Sequence, residues 1–150
     1  MKNKLFYSII DVAVLCVLIL IVSSYFIHNS SAIGWIIIFL GFICLATLIP
    51  FGIKLRCIWP DIVFGMIDNG ILAGLAIFGG EIGGVIGAII GGVVGNAVTD
   101  GVAGIFEGWI AEKSSQDLNR RSLLGASIGK MSGCLIAGGA VLAIAGLMKN

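Results

Sequence analysis

Apolar residues run along this chain in long blocks, interrupted only briefly by polar ones. A helix needs about 20 such residues to cross the hydrocarbon of a bilayer. Five stretches reach that length: residues 5–27, 32–53, 57–79, 82–109 and 122–148. One polar loop of any size remains, 112–121. The pattern predicts an all-α, polytopic membrane helix bundle of about five transmembrane helices. Its expected parts are an N-terminal two-span hairpin, residues 1–56, and a glycine-rich three-span core, residues 57–150.

Basic residues sort the loops. Lys2 and Lys4 precede the first span, Lys54 and Arg56 join the second to the third, and Lys113, Arg120 and Arg121 join the fourth to the fifth. The opposite connections, His28 to Ser31 and Gly80 with Glu81, contain no Lys or Arg, and only Lys149 departs from the scheme. The bias predicts a cytoplasmic N-terminus and an outside C-terminus. Trp35, Trp59 and Trp109 fall near span ends, where aromatic anchors belong. The first span imitates a signal peptide, but its apolar run exceeds the roughly 7–15 residues of such a segment, so a retained helix is expected.

Composition agrees with this reading and narrows it. The chain is 59% hydrophobic and 11% charged, with a mean hydropathy of +1.13, which excludes both a soluble globule and a disordered chain. A net charge of +1 gives no field for nucleic acid; the expected partner is the lipid bilayer. Cys16, Cys44, Cys57 and Cys134 lack zinc-finger or CxxC spacing and read as buried thiols. The single histidine, His28, reads as a loop residue and supplies no base for a nucleophile, so neither an enzyme nor a cofactor is expected.

Glycine accounts for 23 of the 150 residues, and its spacing in the last two spans is regular. Gly83, Gly87, Gly91 and Gly95 recur every fourth residue with Thr99 continuing the row, and Gly125, Gly129, Gly133 and Ala137 repeat it. Such small-residue stripes let helix backbones approach closely in lipid, where no hydrophobic force drives association. Glycine-zipper packing of the last two helices is the expectation. No phosphate-loop spacing occurs among these glycines.

Three charges fall deep inside spans: Asp68, Asp100 and Lys130. Each costs roughly 2.5–3.5 kcal/mol at the bilayer centre on insertion scales. Their neighbours Asn69, Asn96 and Thr99 carry oxygen, and carboxylate with carbonyl or hydroxyl oxygen is the ligand set of Na⁺, Ca²⁺ or Mg²⁺. If spans three and four are antiparallel, Asp68 and Asp100 can face each other as metal ligands. Asp61-x-x-x-Gly65-x-x-Asp68 is echoed by Asp100-x-x-x-Gly104-x-x-Glu107, which suggests a two-step path through Asp61 and Glu107, with Glu81 at its outer end. The alternative is a static ion-pair network that fixes helix register. Two acids against one base leave a negative charge for a cation, a proton or a second protomer to balance. Asp11, in the first span, reads as static, paired with Ser8 or reaching water.

Phe64-Gly-Met-Ile-Asp-Asn69, Gly95-Asn-Ala-Val-Thr-Asp100 and Gly129-Lys130 with Gly133 resemble, in order and approximate spacing, the transmembrane protein sixty-five family. The similarity covers about residues 62–150. It implies a sodium-linked calcium transporter acting as a homodimer, since the family's best-known members are mitochondrial inner-membrane proteins tied to that exchange. By position it implies ion-site roles for Asp68, Asn69, Asn96 and Asp100, with Thr99 where the family has Ser, and a charge-balancing role for Lys130. Spans one and two, Asp61 and Glu107 lie outside the shared pattern. No Arg- and Ser-rich presequence precedes the first span, so a prokaryotic plasma membrane is the expected location. Proton-coupled cation transport and a non-transporting membrane scaffold or regulator are the alternatives.

Overall fold

The computed structural model describes the backbone of residues 2–27, 30–113 and 122–148. These residues form four helices, α1 (Lys2–Phe26), α2 (Ser30–Ala46), α3 (Leu55–Lys113) and α4 (Leu123–Met148), and no strand occurs among them. Three helical stretches are long and apolar enough to cross a membrane, Leu5–Phe26, Leu55–Val102 and Leu123–Met148, while Ala32–Ala46 is apolar but shorter. Large aliphatic side chains such as Ile82, Val85 and Ile105 lie exposed, as expected where lipid rather than water is the solvent. Trp35 and Trp59 are exposed as well. His28, Arg120, Arg121, Lys149 and the side chains of Lys2, Lys4, Trp109 and Lys113 fall outside the described residues.

Two boundaries differ from the hydropathy pattern. The second apolar stretch was expected to continue as a span to residue 53, but α2 ends at Ala46. Pro50 lacks the amide proton a further turn requires, and Gly52 adopts φ 65°, so the chain winds through tight turns (Phe51 N–H to Leu48 O, 3.2 Å). The other concerns Gly80 and Glu81, expected as a loop; the helix runs through both and breaks at Gly83 (φ −126°, ψ 17°) and Gly84 (φ 59°, ψ −141°). Gly84 occupies a backbone region essentially restricted to glycine. The break there folds α3 into two arms, residues 55–82 and 85–113.

The arms run antiparallel, because Gly79 lies against Gly87, Leu75 against Gly91 and Leu72 against Gly95. A Cβ added to Gly87 would collide with the Gly79 carbonyl oxygen, and one added to Gly91 with that of Leu75. Side chains are absent where the backbones touch. Gly83 has open space around it, being part of the break. α4 runs parallel to the first arm: Gly129 and Gly133 sit on Ile58, Asp61 and Ile62, and Gly65 sits on Lys130 and Cys134. Gly125 meets the side chains of Ile58 and Ile53. Ser122 caps α4, its Oγ accepting from the Gly125 amide at 3.0 Å.

α4 is the central helix. On its other side α2 runs antiparallel to it, with Gly34 against Gly139 and Ala143 and Gly41 against Ser132 and Ile136. The buried core joins α1, α2, the first arm and α4 through Leu15, Cys44, Leu48, Ile58, Leu124 and Ile128. Of the cysteines expected as buried thiols, Cys44 is buried and Cys134 half-buried, but Cys16 and Cys57 are exposed. An apolar surround replaces protein burial for these two, which hydropathy alone does not distinguish.

Candidate functional site

At about 1.5 Å per residue, Asp68 stands roughly 20 Å from each end of the first arm, and Thr99 roughly 21 Å from each end of the second. Both are therefore central in arms that are each longer than the about 30 Å of a bilayer's hydrocarbon. There the two arms meet through chemistry: Thr99 Oγ1 lies 2.5 Å from Asp68 Oδ1. The same hydroxyl is 3.0 Å from the Gly95 carbonyl and 3.1 Å from that of Asn96. It has one proton to give, and the carboxylate is the strongest acceptor of the three. Thr99 is 1% exposed, held in the seam by the same four-residue spacing that places Gly87, Gly91 and Gly95 there.

Asp100 follows one residue later, about 100° around the helix. It lies on the exposed flank beside Asn96, whose Nδ2 donates to Asp100 Oδ2 at 2.8 Å. Thus Thr99, rather than Asp100, meets Asp68 in the seam. Asn69, the residue after Asp68, turns toward α4 and lies beside Cys134. Among the described residues no three His, Cys, Asp or Glu side chains converge on a common point.

Lys130 lies about one turn below Asp68. Its Nζ is 4.1 Å from the centre of the Phe64 ring, a cation–π distance, and Phe64 shares the face of Asp68, four residues back. Asp61 is fully buried against Gly129. Glu81 is exposed just before the break in α3, far from Asp68 along the arm. The side chain of Glu107, paired with Asp61 in the sequence echo, lies outside the described residues.

Two features were not singled out in the sequence. The Phe64 ring over Lys130 had a signal, an aromatic one turn before Asp68. Cys44 Sγ lies 3.8 Å from Met131 Sδ across α2 and α4, with no spacing to announce it. Asp11, expected to pair with Ser8 or reach water, has one carboxylate oxygen, Oδ2, that is buried and without a hydrogen-bond partner. It lies near Cys44 of α2.

No protein-family model, curated protein or solved structure matches the chain.

Proposed function

We propose that this protein is a multi-pass membrane cation transporter of the type the transmembrane protein sixty-five resemblance implies, exchanging Ca²⁺ or another divalent cation against Na⁺. In this reading α1, α2, the two arms of α3 and α4 make five passes; the glycine rows, expected to zip the last two helices together, instead lie on the first arm, Gly87, Gly91 and Gly95 from the second arm and Gly129 and Gly133 from α4. The observation that carries it is the Asp68–Thr99 pair. A carboxylate and a hydroxyl are hydrogen-bonded across two antiparallel arms at mid-length, with Asn69, Asn96 and Asp100 alongside. Hard cations take oxygen ligands of this kind, and a loop or surface position would be a cheaper place for charges without a purpose.

Charge balance supports the same reading. Between the levels of Asp61 and Thr99, three acids (Asp61, Asp68, Asp100) stand against Lys130, an excess of two negative charges when all are ionised. A cation entering between Asp68 and Asp100 reduces that excess, and Lys130 moves away from or toward the carboxylates as the cation comes and goes. A homodimer suits the exposed second arm, where a second copy would remove Asp100 from lipid. Asp61 and Glu107 extend the route toward the cytoplasmic end, and Glu81 marks its outer end. One observation favours a second reading, proton coupling: a carboxylate hydrogen-bonded to a hydroxyl at mid-length is all that a proton carrier requires.

The test is Ca²⁺ flux into liposomes holding the purified protein, with and without an opposing Na⁺ gradient, for the native chain and for Asp68→Asn/Asp100→Asn. Sodium-dependent flux lost in the double variant supports the exchanger. Flux that follows a pH gradient and ignores Na⁺ moves the reading to proton coupling. Unaltered physiological function in the double variant leaves only a scaffold.

A further inference from the structure

Three helices meet around two sulfur atoms, on the opposite side of the bundle from the second arm. Cys44, two residues from the end of α2, is 1% exposed, and its Sγ lies 3.8 Å from Sδ of Met131 on α4. Met131 is itself packed against the buried core. α1 closes the third side: Leu15 belongs to the same buried cluster, and Asp11, one turn earlier, lies near Cys44. Asp11 Oδ2 is buried and has no hydrogen-bond partner. Native folds seldom leave a buried carboxylate oxygen without a donor, and an ion is one of the few causes.

These donors differ in kind from those around Asp68. Thiolate and thioether are soft ligands that suit Cu⁺, whereas Na⁺, Ca²⁺ and Mg²⁺ take oxygen. Zinc sites are built from Cys, His and carboxylate and do not use a thioether. The spacing also fits an ion. First-row metal–sulfur bonds are about 2.3 Å, as for zinc, and at tetrahedral to trigonal angles they hold two sulfurs about 3.8–4.0 Å apart. An ion can therefore bridge Cys44 and Met131 without separating α2 from α4.

We propose that Cys44 and Met131 form a site for one soft monovalent cation, Cu⁺, with Asp11 as its charge partner. On binding, the S–H bond of Cys44 breaks and a Cu–S bond forms on the electron pair left on sulfur. Met131 adds a second lone pair, and the thiol proton passes to the neighbouring Asp11 carboxylate. No electron is exchanged, and copper stays Cu⁺. With Asp11 ionised, the empty site holds one negative charge in a dry environment; in the loaded site thiolate and Cu⁺ cancel and the carboxyl is neutral. A divalent ion could be balanced only by expelling that proton from the bundle. The bound ion ties α2 to α4 at the end where Lys54 and Arg56 lie, whether or not Asp68 serves transport. Cys16 also lies near Cys44 but is exposed, which makes it the natural control.

Full-length protein, reduced and purified in detergent without oxygen, is titrated with Cu⁺ held by the coloured chelator bicinchoninate. The native chain should withdraw one Cu⁺ and unfold at a higher temperature once loaded. Cys44→Ser should abolish that uptake, and Met131→Leu, which conserves volume, should weaken it about tenfold or more by removing a soft ligand. Asp11→Asn should weaken it about tenfold, as loss of a charge partner behind a metal ligand does. Cys16→Ser and Cys57→Ser should bind as the native chain does. Monodisperse elution shows that each variant is folded, and X-ray absorption at the copper edge should find two sulfur neighbours in the native protein and one in Met131→Leu. Failure of the native chain to compete with the chelator overturns the site. So does equal affinity of Met131→Leu and native protein, which would mean capture by a lone thiol, and so does uptake that is lost in Cys16→Ser but kept in Cys44→Ser.

Discussion

Thr99 shows how one side chain can be both packing element and donor. Its position in the four-residue row with Gly87, Gly91 and Gly95 puts it in the seam between the arms, and its hydroxyl there meets Asp68 at 2.5 Å. Thr99→Val keeps the shape and removes the donor, leaving a carboxylate oxygen unsatisfied in a dry environment. The expected loss is about 1–3 kcal/mol, toward the lower end because Asp68 is only half-buried. Thermal unfolding in detergent measures it, and Thr99→Ser, which restores the hydroxyl, should recover most of the loss together with cation flux. Equal stability of the Val and native proteins would mean that Asp68 does not depend on this bond. The sequence carried part of this: the row of small residues ends on Thr99, but Asp100, one residue and about 100° further round the helix, was the one expected to face Asp68. What it could not supply was the partner, because the register of one arm on the other depends on where the chain turns back.

At the scale of the helix, that turning point decides the rest. Hydropathy and the polar Glu81 suggest a loop at 80–81, yet the backbone continues helically until two successive glycines permit Gly84 to adopt φ 59° with ψ −141°. The physical distinction is conformational: a glutamate can sit on a helix near its end, but an L side chain does not tolerate that φ/ψ pair. Gly84→Ala should cost about 1–3 kcal/mol and weaken the pairing of the arms. Gly87→Ala should be at least as damaging, since its Cβ would meet the Gly79 carbonyl. Gly92→Ala, one turn further on and open on its outer face, should be neutral or stabilise by about 0.4–1 kcal/mol. Unfolding of the three variants by SDS or heat ranks them, and equal effects at positions 87 and 92 would show that close backbone contact contributes nothing to holding the arms together. The premature end of α2 has a similar origin. Pro50 and Gly52 act through the backbone, and a count of apolar residues passes over both.

For the whole molecule, the contacts sort the helix ends into two sets. The start of α3 and the start of α4 lie at one end, because α4 is parallel to the first arm, and the Ala46 end of α2 lies with them. The break at Gly83–Gly84, the start of α2 and the Met148 end of α4 lie at the other. α1 fits the same scheme, since Leu15 joins the core near Cys44 and Leu48 while Ser23 and Ser24 share a cavity with Ile33 and Ile37. Lys54 and Arg56 then fall at the first end and Glu81 near the second, which is the segregation a cytoplasmic positive face demands. A Glu81→Cys variant should therefore react with an impermeant thiol reagent in intact cells, and Arg56→Cys only in inverted vesicles, with peptide mass spectrometry separating each from the native cysteines. The reverse pattern would keep the hairpin and invert the protein in its membrane. Reaction of both from one side would mean that the first arm does not cross at all, and Asp68 would then lose the mid-membrane depth on which the proposed exchange depends.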